Sequence, residues 1–223
     1  MATSGNHRTH LVWDWNGTLL DDIDAVLGAT NAAFAEVDLA PLTLEQYRET
    51  YCVPIPRFYE RLMGRPPTLA EWERMDDLFN RHYTEHRAAC GLTAGVEDLL
   101  DRWRLAGRSQ SLLSMYGHEN LVPVVRGYGI ERHFVRVDGR TGPSGGSKAQ
   151  HMERHFEVLG GIAPEHAVVI GDAVDDAVAA AHVGARAVLY TGGSHSRGSL
   201  EAAGVPVVDT LAEAVALAEL MTD

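Results

Sequence analysis

Apolar residues recur at two different spacings along this chain, and the change of spacing separates three stretches. Residues 11–13 form a short β-prone run that stops at the turn signal of residues 16–18, which predicts a strand with Asp14 at its tip. Between residues 22 and 90 the apolar positions follow a helical period and no run resembles a strand, so a block of about 70 residues is predicted to be helical.

From Thr93 onwards, helical segments alternate with short apolar runs. The predicted strands are SQSLLSMY ending at Ser114, then 134–137, 167–170, ARAVLYTGG and VPVV, separated by helices that include 118–127 and 174–183. Strands joined by helices form right-handed crossovers within a parallel sheet. We therefore expect an α/β fold, with a Rossmann-like parallel-sheet core built from residues 1–20 and 92–223 and an inserted α-helical domain at 21–91.

Composition and charge narrow the classes of function. The 223 residues carry a net charge of −12 and no basic run, which argues against nucleic-acid binding. Cys52 and Cys90 have no metal-like or redox spacing, so a reducing compartment is expected. Because no apolar stretch approaches ~18 residues and the N-terminal segment lacks a signal-type apolar region, we expect a cytoplasmic protein without a membrane span. Its oligomeric state, monomer or homodimer, is left open.

Candidate chemistry gathers at the predicted strand ends. Ligands of open α/β sheets sit at the carboxyl ends of the strands, where this chain places Asp14, Ser114 and Asp172, with Lys148 opening the helix after the third strand. Two neighbouring carboxylates resist joint ionisation unless a cation lies between them, which points to a divalent metal, most simply Mg²⁺. Lys148 is the single lysine among 19 basic residues, which favours a specific need for an ammonium group at this position.

Four short motifs in the chain resemble those of the haloacid dehalogenase superfamily. DWNGTLLDD, which begins at Asp14, is similar to the first motif, Asp-x-Asp-Gly-Thr-Leu, and Ser114 and Lys148 match the second and third. GDAVDD, from Gly171 to Asp176, matches the fourth. The resemblance covers about residues 10 to 215, and it is strongest for the phosphoglycolate-phosphatase-like branch, in which a small helical cap corresponds to the insert at 21–91.

The resemblance implies a set of residue roles. Asp14 would be the nucleophile that forms an aspartyl-phosphate, and Lys148 and Ser114 would bind phosphoryl oxygens. Mg²⁺ would be held by Asp14, the backbone carbonyl of Asn16 and Asp172, with Asp176 orienting Lys148 or a metal-bound water. Backbone N–H groups of the turn would cradle the phosphoryl group, at Trp15, Gly17 and Thr18.

The chain departs from the family pattern at Asn16, where the family carries its second Asp, the acid that protonates the leaving group. An amide cannot shuttle a proton near neutral pH, and general acid–base catalysis is typically worth ~10²–10⁴-fold. The first interpretation is therefore a slow Mg²⁺-dependent phosphatase of a small phosphorylated metabolite, or one rescued by another acid such as Asp22 or His118. The second is a phosphate-binding or regulatory protein on an impaired hydrolase scaffold.

A third interpretation is other chemistry of the superfamily. The phosphonate-cleaving branch needs a lysine in its cap, and none precedes Lys148. The dehalogenase branch dispenses with Mg²⁺, which would leave the acidic fourth motif unexplained.

Outside these motifs the expectations are plainer. Arg57 in the insert is the candidate for binding a second anionic group of the substrate, against the alternative of a surface arginine. Asp175 is expected to be an exposed acid at a helix start. The i, i+4 pairs His151/His155 and His82/His86 are expected to lie on solvated helix faces, because no third metal ligand accompanies either pair.

Overall fold

A six-stranded parallel sheet forms the centre of the molecule. The computed structural model describes residues 9–143 and 146–221; the first eight residues, which contain most of the N-terminal segment, and residues 144–145 of the predicted Gly-rich loop lie outside this range. The strand order is β5-β4-β1-β6-β7-β8, and every pairing in this sheet is parallel. The predicted fold class is confirmed.

The elements follow one another as expected from the change of period. The strands are β1 (His10–Trp13), β2 (Leu20–Asp21), β3 (Gly91–Leu92), β4 (Gln110–Gly117), β5 (Val137–Arg140), β6 (Ala167–Gly171), β7 (Arg186–Tyr190) and β8 (Val207–Val208). The helices are α1 (Ile23–Ala35), α2 (Leu44–Thr50), α3 (Ile55–Met63), α4 (Leu69–His86), α5 (Val96–Leu105), α6 (His118–Gly127), α7 (Lys148–Leu159), α8 (Val174–Val183), α9 (Arg197–Glu201) and α10 (Leu211–Leu220). Among the described residues, no helix is both long and apolar enough to cross a membrane.

The central strand β1 is buried on both faces, which positions its tip inside the molecule. Leu11 and Trp13 pack into the larger apolar cluster on one side of the sheet, and Val12 packs into the cluster on the other side. Alternate side chains of a strand point to opposite faces, so a continuous apolar run suits a strand covered by helices on both sides. The residue after Trp13 is therefore carried to the carboxyl edge at the middle of the sheet.

Helices α1 to α4 form an insert with its own apolar cluster, which includes Phe34, Tyr47 and Met75. The two segments that connect it to the core pair as the antiparallel strands β2 and β3, with Leu20 opposite Leu92. This pairing lies at the predicted boundaries, residues 20/21 and 91/92. We refer to residues 21–91 as the helical insert.

The strand predicted at 134–137 lies three residues later, at Val137–Arg140. The sequence Asp138-Gly139-Arg140 has no apolar side chain, so periodicity misses it. Gly139 fits because a Cβ there would lie 2.6 Å from the backbone of His118 and Tyr116. Parallel pairing with β4 and the close backbone approach at Gly139 place this edge strand, and Val137 is its one apolar contact with the core.

The expectation of solvated histidine faces is wrong for His155, which is 1 % exposed. Its Nε2 lies 2.8 Å from Ser111 Oγ and its Nδ1 lies 2.7 Å from Asp138 Oδ2. His10 joins the same network, since its Nε2 also lies 2.8 Å from Ser111 Oγ. Ser111 is fully buried, so this Ser-His-Asp arrangement supports the core and is closed to substrate.

The buried network predicts a loss of stability in acid. Burial, with a smaller contribution from the charge of His155, lowers the pKa of His10 to about 3. The folded state thus favours neutral His10, and its contribution to stability is complete above the unfolded pKa of about 6.5 and is lost as the pH falls towards 3. We expect urea unfolding to show a loss of roughly 1–2 kcal/mol between pH 7.5 and 5 that His10→Gln lacks. Equal losses in both proteins would contradict this assignment.

Candidate active site

The tip of β1 places the Asp14 carboxylate at the centre of the carboxyl edge. The Asp14 N–H donates to the Ile170 carbonyl of β6 at 2.9 Å, which holds the strand end in register. The chain then turns sharply, and Gly17 adopts a φ of +65°. A Cβ at Gly17 would lie 2.6 Å from Asp172 Oδ2, so both the turn and the close approach of the fourth motif require glycine here.

Lys148 is buried at the start of α7 and is paired with two carboxylates. Its Nζ lies 2.5 Å from Asp14 Oδ1 and 2.6 Å from Asp176 Oδ1, and the residue is 3 % exposed. Burial disfavours the ammonium, but the two carboxylates outweigh this effect and raise the pKa of Lys148 above its usual range. The lysine is therefore charged and fixed at the nucleophile position.

Asp14, Asp172 and Asp176 form a buried group of acids. One carboxylate oxygen from each lies within 4.8 Å of the others. Burial raises the pKa of Asp14 to about 7, against the opposing effect of Lys148, and burial together with Asp14 and Asp176 raises the pKa of Asp172 well above its usual value. One ammonium does not neutralise three carboxylates, so the donor set fits a hard divalent cation bound through oxygen ligands.

Asn16 is held by a polar network behind the Asp14 carboxylate. Its Nδ2 donates to Asp22 Oδ2 at 2.7 Å and to the Tyr83 hydroxyl at 2.6 Å, and that hydroxyl donates to Asp22 Oδ2 at 2.5 Å. Its Oδ1 faces Ser114 Oγ at 3.5 Å. Asp22 is 1 % exposed, and burial raises its pKa. An acid therefore does lie beside Asn16, on the side of the amide away from Ser114.

A cavity of about 290 Å³ lies between the carboxyl edge of the sheet and the helical insert. Asp14, Asn16, Ser114 and Lys148 line it from the core side together with the fourth-motif acids, and residues of α1 to α4 line it from the other side. This volume lies close to the lower end of the ~300–1,000 Å³ that small-molecule sites usually occupy. A small ligand fits between Asp14 and the insert.

The sequence pattern of the haloacid dehalogenase-like hydrolases matches residues 9–184. The chain belongs to this family. It is 26 % identical to a phosphoglycolate phosphatase of Synechococcus elongatus over 86 % of this chain and 88 % of that protein. A phosphoglycolate phosphatase of Chromobacterium violaceum is 28 % identical, over 82 % of this chain and 84 % of that protein. These relatives support the phosphoglycolate-phosphatase-like branch.

A solved structure has the same fold. The haloacid dehalogenase-like family protein of Streptococcus pneumoniae superimposes with a TM-score of 0.80 at 17 % identity, covering 95 % of this chain and 98 % of the other. Its likeness extends over the sheet and the helical insert together.

The turn at residues 15–18 of this haloacid dehalogenase-like chain was expected to bind a phosphoryl group through its backbone N–H groups. The Gly17 N–H donates to Asp22 Oδ1 at 2.7 Å, and the Thr18 N–H donates to the Trp15 carbonyl, so two of the three predicted cradle amides have other acceptors. The third, the Trp15 N–H, bonds to the Asp14 carboxylate. The side chains of Trp15 and Thr18 are fully buried and do not line the cavity. The Asp22 carboxylate therefore accepts one of the predicted cradle amides, the Gly17 N–H.

The structure places three further residues of the sequence analysis, Arg57, His118 and Asp175, relative to the cavity. Arg57 is exposed on α3 and is not among the cavity-lining residues. His118 accepts the Gly139 N–H at 3.1 Å through Nδ1 and is also absent from the lining. The expectation that Asp175 is exposed is wrong: it is half-buried, lines the cavity and accepts the Lys148 N–H at 2.9 Å, because the start of α7 packs against the start of α8.

Two residues of the site went unpredicted. Tyr83 lies within the block predicted to be helical, and its hydroxyl bond to Asp22 leaves no signal in the sequence. Arg48 of α2 donates from Nε to the Gly193 carbonyl at 2.9 Å and from Nη2 to the Gly192 carbonyl at 3.1 Å. The same loop supplies the Ser194 N–H that binds Asp172 Oδ2 at 2.7 Å. Arg48 thus connects the helical insert to the loop that holds Asp172.

Loss of this connection is expected to weaken substrate binding. Arg48→Ala removes both bonds to the loop, so we expect KM to rise roughly three- to thirty-fold with a smaller change in kcat, since closure contributes binding energy. Arg61→Ala is the matched control, because Arg61 donates to the Thr50 carbonyl within the insert, so this variant removes an arginine bond that does not reach the loop. Steady-state kinetics on both variants measure the difference. Identical KM values would show that Arg48 does not help to close the site.

Proposed function

We propose that this chain is a Mg²⁺-dependent phosphatase that hydrolyses a small phosphorylated metabolite through an aspartyl-phosphate at Asp14. The observation that carries the proposal is the buried Asp14 carboxylate, 2.5 Å from Lys148 Nζ and grouped with Asp172 and Asp176. The phosphatase relatives support the same reaction class, and they favour it over a purely phosphate-binding role.

The proposed reaction has two displacements at phosphorus. An Asp14 oxygen attacks the phosphorus atom, the bond to the ester oxygen breaks, and the alcohol leaves with a proton taken up from the surroundings. Water then attacks the phosphorus of the aspartyl-phosphate, releasing inorganic phosphate and the free Asp14 carboxylate. Lys148 stabilises the charge on the phosphoryl oxygens, and Ser114 Oγ supplies a further hydrogen-bonding group at the cavity wall.

Asp14, Asp172 and the backbone carbonyl of Asn16 would hold the divalent ion, with Asp176 next to them. When bound, the ion neutralises charge on the phosphoryl group and the acids. Asp176 has a second role, since it pairs with Lys148 and accepts the Ala173 N–H at the start of α8. It would therefore orient Lys148, as the motif implied.

Asn16 limits the rate in this proposal. Neither hydrogen of its amide can be transferred near neutral pH, so the leaving group receives no proton from the position that the family uses. Asp22 lies behind the amide and does not line the cavity. We infer slow turnover of ordinary alkyl phosphates. By the names of the relatives, phosphoglycolate is one candidate substrate; a cytoplasmic location and a monomeric or homodimeric state stay predictions.

Chelation and metal titration test the proposal. We expect phosphate release from a small phosphate ester to require Mg²⁺ and to stop with EDTA. We also expect saturating Mg²⁺ to raise the Tm of the wild type by several degrees, since a ligand at about 100 times its Kd adds about 2.7 kcal/mol. Asp172→Asn should lose most of this shift, whereas Asp24→Asn, which removes an exposed carboxylate of α1, should keep it. No metal-dependent phosphate release from any ester would refute the proposal.

A further inference from the structure

The helical insert presents no cation to the cavity. All of residues 21–91 are described, and those that line the cavity include no Lys, Arg or His. The polar groups that they contribute besides tyrosines are Thr30, Asp76 and Asn80. A carboxylate or second phosphate on the leaving group would find no opposite charge on this side, and it would lie in the same cavity as the Asp76 carboxylate.

The same wall is rich in aromatic rings. The insert contributes Tyr47, Tyr51, Phe58, Tyr59, Phe79 and Tyr83 to the lining. Tyr47 and Tyr51 stack at a centroid distance of 5.2 Å, and Phe79 and Tyr83 stack at 5.6 Å with an interplanar angle of 8°. Tyr51 and Phe79 are the partly exposed rings of this wall, and Tyr47 and Tyr83, each 3 % exposed, support them from behind. Exposed rings backed in this way offer a rigid surface for a planar apolar group.

The core side adds one cation beyond Lys148. Among the described lining residues this is Arg140, which is half-buried and donates to the Met115 and Gly142 carbonyls. Lys148 is already committed to Asp14 and Asp176. Asp175 adds another carboxylate to the lining. The charge available for a second anionic group is therefore limited to Arg140.

From this wall we propose that the alcohol part of the substrate is an aromatic, planar group that carries no negative charge. The inference rests on the proposed phosphatase function and adds a substrate class to it. The phosphate group meets Lys148 and the metal-binding acids, and the ring meets the aromatic wall of the insert. A carboxylate on the alcohol is disfavoured because the insert wall supplies no opposite charge for it, and Arg140 on the core side already donates to the Met115 and Gly142 carbonyls. The inference therefore argues against phosphoglycolate as the preferred substrate.

Binding of non-hydrolysable phosphonates tests the inference without chemistry. Isothermal titration calorimetry of the wild type in Mg²⁺ compares benzylphosphonate with 4-carboxybenzylphosphonate and 3-phosphonopropionate. We expect benzylphosphonate to bind about tenfold or more tightly than either carboxylate, which corresponds to about 1.4 kcal/mol. Tighter binding of either carboxylate, or no binding of benzylphosphonate, would overturn the inference.

A charge added to the insert provides the reciprocal test. Asn80 is exposed at the cavity wall, and its Nδ2 donates to the Asp76 carbonyl within α4. Asn80→Lys should tighten binding of 4-carboxybenzylphosphonate about tenfold and leave benzylphosphonate nearly unchanged, whereas Asn80→Gln should change neither. The inference fails if the wild type binds the carboxylate probe more tightly than benzylphosphonate and Arg140→Gln weakens that binding. Arg140 would then be the site that binds the second anionic group.

Turnover separates this inference from the proposed function. Benzyl phosphate and 4-carboxybenzyl phosphate release similar primary alcohols, so their kcat/KM ratio reports recognition and not leaving-group reactivity. Preference for benzyl phosphate supports both proposals. If 4-carboxybenzyl phosphate is hydrolysed with the higher kcat/KM, the proposed substrate class is wrong and the proposed phosphatase activity stands. If the phosphonates bind in the expected order but no ester is hydrolysed in an Asp14-dependent way, the substrate class stands and the phosphatase activity is wrong.

Discussion

Asp14→Asn is expected to lower kcat/KM by roughly 10³–10⁶-fold, the scale seen when a nucleophile is removed. The amide is a poor nucleophile and cannot form the acyl phosphate. It also weakens the contact with Lys148 Nζ, which lies 2.5 Å from the wild-type carboxylate. The measurement is phosphate release with Mg²⁺, together with acid-quench trapping of the phosphorylated protein at Asp14, which the variant should not show.

The variant should stay folded, which makes the loss of activity interpretable. The Asp14 charge raises the pKa of Asp172, so removing this carboxylate relieves repulsion there and offsets the loss of its contact with Lys148. We expect the Tm without metal to stay within a few degrees of the wild type. Activity within tenfold of the wild type would exclude Asp14 as the nucleophile, and Asp24→Asn controls for the change in net charge.

Exchange of the amide and the carboxylate between positions 16 and 22 is expected to raise turnover by up to ~10²–10⁴-fold, the usual range for a general acid. In Asn16→Asp/Asp22→Asn the new carboxyl group at position 16 takes the place of an amide that lines the cavity. The contact between positions 16 and 22 still joins one amide and one carboxylate, as in the wild type. The measurement is kcat/KM against pH for the double variant and for both single variants. A gain should appear with a new pH-dependent limb.

The single variant Asn16→Asp is expected to gain less. Its carboxylate would lie where Nδ2 now lies, 2.7 Å from Asp22 Oδ2, and two acids at that distance cannot both be ionised. We expect lower stability at pH 8 that Asp22→Asn restores in the double variant, as a double-mutant cycle would reveal. A double variant no faster than the wild type would mean that this position does not limit the rate. Mass spectrometry of the Asn16-Gly17 peptide excludes deamidation as the source of wild-type activity.

Much of the fold followed from local pattern. The apolar run of residues 11–13, the helical period of the insert and the alternation after Thr93 each depend on neighbours close in sequence. They predicted the parallel sheet, the helical insert and the bounds of the helices at 118–127 and 174–183. The bounds of the strand at Val137–Arg140 were missed because pairing with β4 and close backbone packing at Gly139 hold three residues that have no apolar side chain.

The sequence by itself determined the chemistry of the carboxyl edge. Strand ends of a parallel sheet share one edge, so Asp14, Ser114 and Asp172 had to lie near one another wherever the strands were correctly placed. The departure at Asn16 was equally visible in the sequence.

The tertiary structure alone decided the environment of these groups. Tyr83 reaches Asp22 across 61 residues and Arg48 reaches Gly193 across 145, and neither contact leaves a periodic signal. Burial of Asp175 and His155 and an aromatic wall without cations likewise follow from how distant helices pack. Local spacing specifies which side chains face the core, but pairwise packing across the fold specifies which partners they find there.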